Sequence, residues 1–188
     1  MKKILTAFMI AWFALAISCR QQHPVPKPRA MLRLEYPPHE YETFMLSQYP
    51  FSFLKSIYAK AEPKSDTTLN LYYPNMNARI YMTYASVNNN LRQLLADADK
   101  LTYKHAVKAD DFKHKIYTNP NNHIFARISL VTGNAASPLQ FLITDSTSHF
   151  VTGSLYFHSV PNYDSIRPPL DYLRHDVQRM IESWHWKN

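Results

Sequence analysis

The stretch that decides the fold is ARIYMTYASVNNNLRQLLADADKLTYKH, residues 78–105, because its hydrophobic period changes part-way through. In its first half, Ala78, Ile80, Met82 and Tyr84 alternate with Arg79, Tyr81 and Thr83. A period of two with one polar face predicts a strand of an antiparallel sheet covered on one side. After Asn88–Asn90 the apolar positions become Leu91, Leu94, Leu95, Ala98, Leu101 and Thr102. That i, i+3, i+4, i+7 spacing predicts an amphipathic helix with Asn88 or Asn89 as its N-cap, and Arg92, Asp99, Lys100 and Lys104 toward water.

Working outward, Tyr49–Ala59 predicts a first strand, and TTLNLYY another, joined to residues 78–87 by the turn PNMN. Downstream, FKHKIYT and HIFARISLV flank a second turn, NPNN, and LQFLITD and HFVTGSLYFHS follow. A final helix is expected from about Pro168 to Trp184, with both prolines in its first turn and Leu170, Leu173, Val177, Ile181 and Trp184 as its buried stripe. Strands arriving as hairpins, separated by two helices, predict an α+β domain: one antiparallel sheet with the amphipathic helices packed on it. The element order resembles the PsbP/Mog1-like sandwich.

The amino terminus carries an address. MKK precedes the 14-residue apolar run ILTAFMIAWFALAI, which has signal-peptide length and is short for a bilayer span. It ends in AISC, small residues before the only cysteine, Cys19. The expectation is a lipoprotein signal peptide over residues 1–18, a lipid-modified Cys19, a proline-rich tether over 19–31 and a folded domain over 32–188. Cleavage removes Lys2 and Lys3, leaving 19 basic and 14 acidic residues, a net charge of +5.

Chemistry-bearing motifs are sparse. Only two glycines are present, so phosphate-cradling loops and nucleotide folds are not expected. No basic-aromatic motif points to nucleic acid. The nine histidines lack helical metal spacing; His114 and His158, both in predicted strands, are the pair that could meet across the sheet. Asp110 and Asp111 in KADD are adjacent, whereas glycosidase carboxylates flank a substrate. TDSTSH brings Asp145, Ser146, Ser148 and His149 together, the parts of a hydrolase triad. They lie in one short loop between two apolar alternating runs, without a Gly-x-Ser-x-Gly elbow, so a turn is the expectation. No cofactor or metal is implied. Tyrosine and arginine on the non-core faces, namely Arg79, Tyr81, Tyr103, Tyr117 and Tyr156, are the candidate partner surface.

Three blocks, VPKPRAMLRLEYP, NNNLRQLLADADKLTYKHAVKADD and GNAASPLQFLITDSTSHFVTGSLYFHSVPNYDSI, resemble the gliding motility lipoprotein GldD family of the Bacteroidota. The chain departs from some members at Tyr49, where they carry a cysteine, so a disulfide there is absent. The resemblance implies a non-enzymatic envelope lipoprotein whose partners are other proteins of gliding and type IX secretion. It carries over only Cys19, as the lipid site. RQQH after Cys19 lacks the acidic residues of surface-exported relatives, which implies a periplasm-facing protein of the outer membrane. A small-ligand or glycan-binding lipoprotein is the alternative, motivated by 14% aromatic residues. A Cys19→Ala variant is expected to lose labelling by radioactive palmitate; persistent label would refute the lipid site.

Overall fold

A computed structural model describes residues 35–105, 109–133, 135–158 and 163–187. The signal peptide, Cys19 and the tether lie outside the described residues, as does Lys108. The strands are β1 (Tyr41–Met45), β2 (Phe51–Ser56), β3 (Lys60–Pro63), β4 (Thr68–Tyr73) and β5 (Ala78–Ser86). Helix α1 (Leu91–His105) leads to β6 (Ala109–Asn119), β7 (Ile124–Gly133), β8 (Leu139–Thr144) and β9 (His149–Phe157). Helix α2 (Tyr163–Glu182) and the two-residue β10 (His185–Trp186) complete an α+β domain.

Seven strands form one antiparallel sheet in the order β3-β4-β5-β9-β8-β7-β6. The expected alternation of residues 78–84 sets its two faces. Ile80 pairs with Leu71 and Leu155, and Met82 with Leu69 and Gly153, so all of these point one way. That face packs on Leu170, Leu173, Val177 and Ile181 of α2 in one apolar core. Helix α1 covers the opposite face, where Ala98, Leu101 and Thr102 lie against Arg127, Gln140, Leu142 and Ser154. The helices therefore take opposite sides.

Both predicted turns use one device. Pro74–Met76 and Pro120–Asn122 are single 3₁₀ turns, closed by Asn77 and His123 in the left-handed conformation (φ 45° and 51°). Asparagine adopts that region at low cost.

Five details differ from expectation. A second sheet, β1-β2-β10, accompanies the first. Strands β1 and β3, YETFM and KAEP, have no clean alternation; they are strands because β2 and β4 supply their hydrogen-bond partners. Helix α1 begins after Asn90 rather than Asn88 or Asn89. Asn89 is left-handed (φ 57°), the Asn90 carbonyl accepts the first helical bond from Leu94 N–H at 3.0 Å, and the Asn90 side chain accepts from Asn88 N–H at 2.8 Å. Of the apolar stripe of α1 only Thr102 is buried; Leu101 is 44% exposed, and Asp99, expected in water, is half-buried and paired with Arg127. Helix α2 starts at Tyr163, so Pro168 and Pro169 lie inside it. Each withdraws a helical donor from the first turn, yet Ile166 and Pro169 are both buried, and that packing sustains the extra turn.

Gly153 is required where it stands. The Phe141 ring, its cross-strand partner, occupies the space a β-carbon would take. Gly153→Ala is expected to lower stability by about 1–3 kcal/mol, the usual cost of overpacking, in urea denaturation.

Candidate interaction surface

The exposed face of β5 gathers three of the residues singled out in the sequence. Arg79 pairs with Tyr72 on β4 and Tyr156 on β9, and Tyr81 is two positions along the same face. The Tyr81 and Tyr156 rings meet edge to face at 5.5 Å. The Arg79 guanidinium lies over Tyr72 at 4.7 Å and reaches Tyr81 at 6.0 Å. It also donates to Glu62 Oε1 at 3.3 Å, and Lys64 holds the other carboxylate oxygen of Glu62 at the same distance. Between this cluster and α1 runs a groove of about 500 Å³, lined by Tyr81, Thr83, Leu101, Thr152 and Tyr156. Burial, and then Tyr81, push the Tyr156 phenol above its ordinary value, so it stays neutral at physiological pH.

Tyr103 and Tyr117 do not join it. Tyr103 is exposed on α1 but does not line the groove. Tyr117 pairs with Ala126 and packs against the core, so its assignment to a non-core face is corrected: it is one residue out of phase with the exposed Ile116.

The residues of TDSTSH form a turn. Asp145 Oδ1 accepts from the N–H groups of Thr147, Ser148 and His149 at 2.8–2.9 Å. Burial alone would raise its pKa; the backbone donors outweigh that and hold it below the ordinary carboxylate value. Ser146 is left-handed, with φ 69°. His149 Nδ1 meets the Tyr84 hydroxyl at 2.9 Å, and its ring stacks on Trp186 at 5.0 Å. Acid, serine and imidazole thus make separate contacts. The turn borders a cleft of about 970 Å³ with His123, His185, Trp186 and Tyr49. Among the described residues no three His, Cys, Asp or Glu side chains are grouped to hold a metal. His114 and His158 do not meet: His114 bonds Ser129 on β7, and strands β7 and β8 separate it from the end of β9. Asp111 of KADD is 3.8 Å from Lys113.

At the position before Pro50, Tyr49 is buried, and its hydroxyl lies 2.9 and 2.8 Å from the Ser65 and Thr68 carbonyl oxygens, which share its one proton. A hydrogen-bonded ring thus fills the site.

One polar cluster carries no sequence motif. Asp176, 3% exposed, stands on the apolar stripe of α2 between Leu173 and Met180. Its Oδ1 is 2.8 Å from His39 Nδ1 and accepts from the Tyr41 hydroxyl at 3.1 Å. His39 stacks on Tyr172 at 4.2 Å, and Tyr36 stacks on the same ring at 5.1 Å. These contacts dock residues 36–41 on α2. Its one sequence signal was an acid at a helical core position. Burial raises the Asp176 pKa against the opposing bonds from His39 and Tyr41, and burial with Asp176 pushes the Tyr172 phenol up to about 12.

A model of the family described as gliding motility lipoprotein GldD matches residues 21–186. The chain belongs to that family. As a GldD family member it is a lipoprotein of gliding motility, a membrane-anchored component of the cell envelope associated with the motility machinery. No helix among the described residues is long and apolar enough to cross a membrane. No curated protein matches the chain. Among solved structures it is similar to the solution structure of cyanobacterial PsbP (CyanoP) from Synechocystis sp. PCC 6803, with 6% identity and a TM-score of 0.49, over 78% of this chain and 92% of that one.

The Asp176 cluster sets a sign for pH dependence. A carboxyl with a raised folded-state pKa holds its proton in the native state after the unfolded chain has released it. Stability therefore falls as pH rises from the unfolded value of 3.8 through the folded one. Asp176→Asn is expected to flatten that part of the profile, measured by urea denaturation between about pH 4 and 7.

Proposed function

We propose that this GldD family domain is a non-enzymatic docking module, held by lipid on the periplasmic side of the outer membrane, that binds another protein of the gliding or type IX secretion apparatus. The observation that carries the reading is the Arg79–Tyr81–Tyr156 cluster beside an uncovered groove. Tyrosine supplies large, amphipathic contact area at modest entropic cost, and tyrosine and arginine are both enriched at protein–protein hot spots. The occupant that fits is an apolar or aromatic side chain of the partner, inserted between Tyr81 and Leu101, with a carboxylate alongside Arg79. Among the described residues the turn chemistry of Asp145 and the Tyr84 partner of His149 favour this reading over hydrolysis.

The cleft beside Trp186 favours a second reading, a small-ligand or glycan site, because His149 and Trp186 bring aromatic surface to it. Titration with soluble oligosaccharides followed by tryptophan fluorescence addresses that reading.

The docking reading is tested by a Tyr81→Ala, Tyr156→Ala double variant. With unchanged lipidation and circular dichroism, cells carrying it are expected to lose colony spreading, as loss of a hot spot worth about 2 kcal/mol or more weakens binding some thirtyfold. Undiminished spreading would overturn the role of this surface.

A further inference from the structure

The two edges of the seven-stranded sheet differ. Edge strand β3 has four residues and ends in Pro63, a short, proline-marked edge of the kind that resists further pairing. Edge strand β6 has eleven residues and contains no proline, and among the described residues its one strand partner is β7. A long edge is a template for another strand; here a register shift at Ala109/Asp111 confines regular pairing to residues 111–119, and the lysines along it narrow what it accepts.

The surroundings of β6 specify what it would accept. On the α1 side, Ile116 is 67% exposed and Phe125 of β7 is 38% exposed. With Leu91, Leu95 and Leu142 they line a mainly apolar groove of about 290 Å³ that reaches from β6 across β7 to β8 beside α1. On the α2 side, Lys113 and Lys115 alternate with Ile116 and His114. The Lys113 side chain is 72% exposed and 3.8 Å from Asp111, a loose pair. Lys115 is bonded to the neutral Gln178 at 3.0 Å, so its charge is not offset there.

We propose that the outer edge of β6 is a strand-addition site for an extended segment of a partner protein. Its apolar residues lie toward α1, and the acidic residues that alternate with them lie toward Lys113 and Lys115. Side chains of an added strand share faces with those they oppose, so one alternating segment satisfies both sides. Main-chain bonds to the edge would supply affinity, while the groove and the lysines supply selectivity. The charges disfavour a second copy of this chain: two β6 strands paired about their centres at His114 would set Lys113 against Lys115 twice. This surface is distinct from the tyrosine cluster on β5 and β9.

The test uses the full-length lipoprotein in detergent and two capped octapeptides, one alternating Val with Glu and one alternating Val with Lys. Hydrogen–deuterium exchange of residues 111–119 is read by mass spectrometry. The Val-Glu peptide is expected to slow exchange there more than tenfold, and the Val-Lys peptide is not. Ile116→Glu should abolish the protection with the melting transition unchanged. A Lys113→Glu, Lys115→Glu variant should reverse the preference toward the Val-Lys peptide. Equal protection by both peptides, or by neither, would overturn the proposal. So would protection that rises with protein concentration in the absence of peptide, which would assign the edge to self-association.

Discussion

Trp184 holds the structure together. Its ring is buried directly after α2 and stacks on Phe51 at 4.6 Å and on Phe53 at 5.0 Å. Rings of this size each bury roughly 150–250 Å², about 4–6 kcal/mol of transfer free energy as an upper bound. The three-stranded sheet needs that support, since one of its strands is the two-residue β10 and so small a sheet is not stable alone. Phe44 extends the cluster to β1, and Trp186 carries it to His149 at the β8–β9 turn. Ser183 fixes the same corner through its hydroxyl, which accepts from Leu54 N–H at 2.8 Å. One aromatic cluster thus joins the small sheet, the end of α2 and one end of the large sheet.

This concentration of apolar surface on the α2 side leaves the other face different in kind. Between α1 and the sheet lie Thr102 of the helix and Ser129, Gln140 and Ser154 of the strands, all buried and polar. Thr102 bonds back to the Ala98 carbonyl at 2.9 Å, and Ser129 meets His114 at 3.0 Å, so these groups are satisfied locally. A helix resting on such a layer gains less from burial than one resting on leucines. Leu101 stays partly in water, and the tyrosine groove opens beside it. The surface available to partners therefore lies where the apolar content of the sheet runs out.

Much of this was legible in particular residues. The alternation from Ala78 to Tyr84 foretold both faces of β5. The PNMN and NPNN segments foretold two turns, and the side chain of Asp145 does what a turn aspartate is expected to do. Misreadings arose where two local rules competed. Adjacent prolines signal a helix start, and at Pro168 the burial of Ile166 and Pro169 outweighed that signal. Tyr117 is expected on a non-core face, whereas its register with Ala126 turns it toward the core. Strands β1 and β3 offered too few residues for any periodicity to register.

By itself, the sequence determined what depends on near neighbours: the period of each long element, the turns and the α+β class. Those features follow from steric and hydrogen-bonding preferences that act over a few residues. Only the tertiary structure decided which distant groups meet. His39 bonds Asp176 across 137 positions, Trp184 stacks on Phe51, and Arg79, Tyr81 and Tyr156 converge from separate strands. Such meetings follow from strand order and register, which are fixed by the burial of the whole core at once, and no local pattern carries them.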